Sequence, residues 1–93
     1  MPNVKLNLLN IFSLRLGKNH VQYEGETVKN VITQFVKEYG DKLDDGLLSK
    51  RKNKLHENIL ILVNGRSIEN MKGYKTKLNE GDEMFLSIPL SGG

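Results

Sequence analysis

The sequence predicts an α+β fold in which one main helix lies across one face of a mixed sheet of about five strands. Apolar and polar residues alternate in "NVKLNLL" and again in "EMFLSI", the period of a strand with one buried face. Between them, "TVKNVITQFVKEYG" sets its apolar residues at helical spacing. The third observation is Asn64-Gly65 directly after the apolar run "NILILV", a pair that suits a tight type I′ turn because both residues tolerate positive φ.

Taken in order, Val4, Leu6 and Leu8 define the buried side of a first strand. A less regular apolar stretch, "NIFSLRLG", closes on Gly17, and Val21 and Tyr23 then suggest a short second strand forming an antiparallel hairpin with the first. Gly25 breaks that strand. The helix follows, with Thr27 as N-cap, Val28, Val31, Ile32, Phe35, Val36 and Tyr39 on its inner side, and Gly40 placed to end it. Residues 41–58 are polar and long for a structureless connection, so Leu43, Leu47 and Leu48 are expected to anchor a turn or a short helix. A strand in "NILILV", a short return in "RSI", a loop containing Gly73 and a turn in "NEGDE" lead to the last strand, where Met84, Leu86 and Ile88 alternate with Phe85 and Ser87. Pro89 stops the ladder because it has no N–H to donate.

Ninety-three residues suffice for one modest core, so a single domain over residues 1–93 is expected, with a flexible tail over residues 90–93. No stretch approaches the roughly 20 apolar residues of a membrane span. The start, "MPNVKLNLLN", lacks the features of a secretory signal, which points to the cytoplasm. Without cysteine this sequence has no disulfide, thiolate nucleophile, cysteine zinc site or side-chain persulfide. A net charge of +3 is too small to predict nucleic-acid or membrane binding. Lys50, Arg51, Lys52 and Lys54 cluster in "SKRKNKLHEN", where a solvated loop or an acidic partner surface is expected; no aromatic residues interleave to offer nucleic acid a stacking platform.

The segment "LVNGRSIENMKGYKTKLNEGDEMFLSIPLSGG" resembles the C-terminal half of the MoaD/ThiS sulfur-carrier family, with its VNG turn, a leucine before a G-D-E turn, a final strand and a terminal Gly-Gly. "GETVKNVITQF" is similar to the start of that family's helix, so the resemblance covers most of the chain. It implies a ubiquitin-like β-grasp and, by length, points toward the small subunit of molybdopterin synthase more than toward the shorter thiamine-pathway carriers. Ile88 before a single proline, followed by Leu90-Ser91, departs from the two prolines often seen before the tail in the molybdopterin type.

The resemblance implies that a separate ubiquitin-activating-type adenylyltransferase uses ATP to activate the carboxylate of Gly93, and that sulfur then replaces AMP to leave a thiocarboxylate. The protein itself then binds no cofactor and is no enzyme. The sulfur passes to a partner, here the larger catalytic subunit of molybdopterin synthase or another acceptor enzyme. Gly92 and Gly93 lack Cβ and suit a narrow channel. Fixing Leu90, Ser91, Gly92 and Gly93 costs about 4–8 kcal/mol in backbone entropy, so the folded body is expected to dock as well. Strand alternation places Leu9 and Phe85 on the sheet face away from the helix as docking candidates, and Arg66 in the "NGR" turn could meet an acidic partner. The bland alternatives are that a loop covers Leu9 or Phe85 and that Arg66 is simply solvated.

Two other classes are weighed against the carrier. A ubiquitin-like modifier would use the same activated carboxylate, with a lysine amine in place of sulfide. An enzyme finds no support: His20 and His56 lack an HExxH, Cys/His or GxSxG context, there is no P-loop or GxGxxG run, and no cluster suggests a metal.

Overall fold

The computed structural model describes residues 1–51 and 53–88. Among these described residues five strands form one sheet: β1 (Asn3–Leu8), β2 (His20–Glu24), β3 (Leu60–Val63), β4 (Arg66–Ser67) and β5 (Glu83–Ser87). Their order across the sheet is β2-β1-β5-β3-β4. The two central strands, β1 and β5, run parallel, and every other neighbouring pair is antiparallel. The helix α2 (Val28–Tyr39) packs on one face, as the β-grasp expectation requires.

The reason lies in the alternation. Val4, Leu6 and Leu8 of β1, Met84 and Leu86 of β5, and Ile61 and Val63 of β3 are all buried, and Val28, Val31, Ile32, Phe35 and Val36 of α2 close over them. Each such side chain contributes roughly 1.5–3 kcal/mol by leaving water. Thr27 caps α2 as expected: its hydroxyl accepts from the Asn30 N–H at 3.3 Å, and the Asn30 carboxamide accepts from the Thr27 N–H at 3.1 Å. Gly40 ends the helix in ordinary right-handed geometry and leads into a 3₁₀ turn over Gly40–Lys42.

The long polar connection is anchored as anticipated. A second 3₁₀ turn covers Asp45–Leu47, and Leu43, Leu47, Leu48 and Leu55 are buried against the core. Between β4 and β5, the expected loop contains two more 3₁₀ turns, Ile68–Asn70 and Gly73–Lys75. The Asn64-Gly65 turn has φ of 50° and 89°, so both residues are left-handed.

One connection adds an element to the sequence reading. β1 and β2 pair antiparallel as expected, and the less regular stretch between them is not a plain loop: "IFSLRL" forms the helix α1 (Ile11–Leu16). Phe12 is fully buried with its ring 6.4 Å from that of Phe35, and Leu16, one turn on, packs against the same core. Gly17 closes the helix at φ 67°, its N–H donating to the Ser13 carbonyl at 2.9 Å. Six residues are too short for a helical period to stand out from the sequence, and burial of Phe12 is what selects the helix.

Candidate functional site

The face of the sheet turned away from α2 is built by the other half of the alternation. Paired strands put opposite residues on the same side, so Asn7, Phe85, Leu62 and Ser67 form one row across β1, β5, β3 and β4. The next row toward the end of β5 contains Ser87 and Leu60. Leu9 continues β1 alongside it, its N–H donating to the Leu86 carbonyl at 3.0 Å. Toward the other end the same face turns polar, with Lys5 beside Gln22 and Glu83.

The apolar half therefore lies where β5 finishes. Phe85, Leu60 and Leu62 are half-buried, and Leu9 is 41% exposed. Asn7 holds the edge of this strip, donating from Nδ2 to the Met84 carbonyl at 3.0 Å and to Glu83 Oε1 at 3.2 Å. At the chain's way out of the sheet, the buried Ser87 hydroxyl donates to Asn10 Oδ1. Ile88 is half-buried and packs against the core.

Leu9 and Phe85, singled out from the sequence, share this strip. Arg66 does not: it sits opposite Val63, a core-side residue, and is exposed at the β4 edge of the sheet. Gly93, Gly92, Ser91 and Leu90 lie outside the described residues. Leu60 and Leu62 were missed as members of the strip, although the unbroken run "NILILV" carried the signal, because a strand without polar alternation offers apolar side chains to both faces. Leu14 stands 80% exposed on α1, an element the sequence did not reveal.

His56 Nδ1 accepts from the Asn58 N–H at 3.0 Å, an ordinary turn contact. Among the described residues no three His, Cys, Asp or Glu side chains group so as to hold a metal ion. No helix among them is long and apolar enough to cross a membrane. Near the β3 and β4 edge, a cavity of about 570 Å³ is lined by Lys50, Lys54, His56, Glu57, Glu69 and Tyr74 among others, so both charge signs border it. Lys54 Nζ stands 5.7 Å from the centre of the Tyr74 ring. Lys50 and Arg51 are exposed.

The sequence profile of the ThiS family matches residues 13–93. No match was found among curated proteins. Among solved structures, the small archaeal modifier protein 1 of Methanosarcina acetivorans is 28% identical, with a TM-score of 0.84 over 100% of this chain and 98% of that one. The small archaeal modifier protein 1 of Haloferax volcanii has 21% identity and a TM-score of 0.78, covering 98% of this chain and 99% of its own. A chain in the BexX/CysO complex of Amycolatopsis orientalis, 23% identical, superposes with a TM-score of 0.71 over 97% of this chain and 99% of that one. With the family match spanning most of the sequence and a five-stranded β-grasp beneath it, the chain belongs to the ThiS family, whose small ubiquitin-like proteins are non-catalytic sulfur carriers or modifiers.

Proposed function

We propose that the protein is a cytoplasmic sulfur carrier whose reactive group is the main-chain carboxylate of Gly93, and that residues 1–93 act as one docking body with residues 90–93 as its arm. The observation that carries this reading is the position of the apolar strip. Phe85, Leu62, Leu60 and Leu9 lie on the open face at the end where β5 runs on toward Leu90, Ser91, Gly92 and Gly93, and the family match includes those four residues.

The chemistry follows from what a carboxylate lacks. It is a poor electrophile. In a ubiquitin-activating-type adenylyltransferase, a Gly93 oxygen attacks the α-phosphorus of ATP, pyrophosphate leaves, and the resulting acyl-adenylate carries AMP as a leaving group. Hydrosulfide adds to the carbonyl carbon and expels AMP, and loss of its proton leaves the thiocarboxylate. ATP and all catalytic groups belong to the partner; this chain contributes the docking strip and a terminus whose glycines can enter a narrow channel. Docking at the strip supplies the free energy that ordering the tail costs.

The acceptor we propose is a pterin precursor held by the larger catalytic subunit of molybdopterin synthase, with a thiamine-pathway or other sulfur-accepting enzyme as the competing destination. That a chain of this fold occurs in the BexX/CysO complex supports docking on a partner protein. A second reading is favoured by the 28% identical archaeal relative, which is named a modifier: an amine of a target lysine would attack the same adenylate and form an isopeptide.

The deciding experiment is intact-mass spectrometry after incubation with ATP, a sulfur source and the activating enzyme of the same organism. The carrier reading expects one oxygen replaced by sulfur at Gly93. An adenylate with lysine-linked "LSGG" products and no thiocarboxylate would favour the modifier, and no reaction with a competent activating enzyme would overturn both. Supplying the charged protein to the purified large subunit and its pterin precursor then tests the acceptor: unchanged thiocarboxylate would exclude that pathway.

A further inference from the structure

Asn10 stands at the N-cap of α1, where an asparagine ordinarily turns its side chain back to accept from its own helix. Here it makes no such bond. The side chain reaches instead across to the last residue of β5, where Oδ1 accepts from the Ser87 hydroxyl in a half-buried position. The backbone bears a cost for this: Asn10 has φ 53° and ψ −129°, a combination that glycine accepts far more readily than a residue with a Cβ.

Ser87 Oγ is also 2.9 Å from the carbonyl oxygen of Ile88. A hydroxyl has a single proton and cannot donate to both acceptors at once. A carboxamide, however, has a donor end and an acceptor end of the same shape. With the Asn10 amide turned, Nδ2–H donates to Ser87 Oγ and the Ser87 O–H is free to donate to the Ile88 carbonyl. Only in this second orientation do all three groups form one chain of hydrogen bonds; in the first, the Ser87 proton serves Asn10 Oδ1 or the Ile88 carbonyl but not both. The Ile88 carbonyl belongs to the planar peptide unit shared with Pro89, so a bond to it restricts rotation about ψ of Ile88.

We propose that Asn10 and Ser87 are positioning residues that hold the Ile88 carbonyl and thereby aim the tail relative to the docking strip. The inference rests on the carrier or modifier reading above, since both need the Gly93 carboxylate delivered to a partner's active site. Docking through Phe85, Leu60, Leu62 and Leu9 sets how often the complex forms, while the Asn10–Ser87–Ile88 chain sets how often the docked complex has its carboxylate in place. A misplacement of about 1 Å at a reacting group can cost up to about 100-fold in rate.

The test uses the full chain with Ser87→Ala, Asn10→Gly and Ser87→Thr. Asn10→Gly keeps a residue that accepts positive φ and removes only the side chain, and Ser87→Thr keeps the hydroxyl. In the isolated protein, the order parameter of the Ile88 carbonyl carbon is expected to fall from the rigid range near about 0.85 in Ser87→Ala and Asn10→Gly, and to stay there in Ser87→Thr. With the activating enzyme and ATP, well below the unfolding midpoint, kcat for adenylation is expected to fall about 10-fold to 100-fold in the first two variants with KM unchanged within about 2-fold. A merely structural role would lower the midpoint without that kcat-against-KM split. Unchanged order parameters, or unchanged kcat in Ser87→Ala and Asn10→Gly, would overturn the positioning role. Failure of the wild-type chain to be adenylated would overturn the functional reading instead, and the Ile88 order parameter would still decide for or against the hydrogen-bond chain.

Discussion

Asn64 ties two turns together with one side chain. Its Nδ2 donates to Asp82 Oδ1 at 3.0 Å, its Oδ1 accepts from the Glu83 N–H at 3.0 Å, and its own N–H donates to the Glu83 carbonyl at 2.7 Å. Asn64→Ala removes both side-chain bonds and puts a residue poorly suited to positive φ at 50°, an expected loss of about 1–3 kcal/mol in urea unfolding. Asn64→Gly relieves the backbone while losing the same bonds, so it should be the milder of the two. A second residue-level device joins the start of the chain to the turn before β5: the Glu80 carboxylate accepts from the Asn3 N–H at 2.9 Å and from Asn3 Nδ2 at 3.2 Å. The Asn3 backbone N–H above all, then its side chain, holds the Glu80 carboxyl below its ordinary value of 4.5. A group depressed on folding contributes stability that is complete above the unfolded value and is lost as pH falls through the folded one. Melting temperature should therefore drop less steeply below about pH 4.5 in Glu80→Gln than in the wild type.

At the scale of elements, Gly25 shows how a strand is passed to a helix. Its N–H donates to the Pro2 carbonyl at 3.0 Å, closing β2 onto the start of β1. A Cβ at this position would meet Asn30 Cβ at 2.9 Å and Val31 Cγ2 at 3.2 Å, both in the first turn of α2. Neither is the loose end of a long side chain, and Asn30 is occupied by the capping box. Gly25→Ala is expected to cost about 1–3 kcal/mol in chemical denaturation, with a lowered melting temperature as the companion readout. The glycine was legible as a break, but not its close approach to α2, which depends on how two separate elements meet.

At the scale of the whole molecule, the two faces of one sheet are predicted to separate stability from recognition. Phe85→Ser alters the open face and should weaken capture by the activating enzyme, seen as a raised KM of about 10-fold or more, with little loss of melting temperature. Leu86→Ala, the adjacent residue in the same strand, opens a cavity in the core and should cost about 2–5 kcal/mol of stability. Equal effects of the two variants on melting temperature would sink the division of labour between the faces.

Local pattern decided a good deal. The period of two in "NVKLNLL" and "EMFLSI" set which side of each strand is buried, the helical spacing and Thr27 placed α2, and Asn64-Gly65 placed its turn, because each depends on neighbours a few residues apart. The "LSGG" end and the motifs before it carried the family resemblance. Tertiary structure alone decided the rest. The central pairing of β1 with β5 joins residues nearly a whole chain apart, such as Asn7 and Phe85, and no local signal encodes a partner at that separation. Burial of Phe12 against Phe35 turned an irregular stretch into α1, and sheet order gathered Leu60 and Leu62 beside Phe85 while leaving Arg66 on the other side. Composition and period say which residues must be buried or exposed; which of them become neighbours is settled only when the strands find their register.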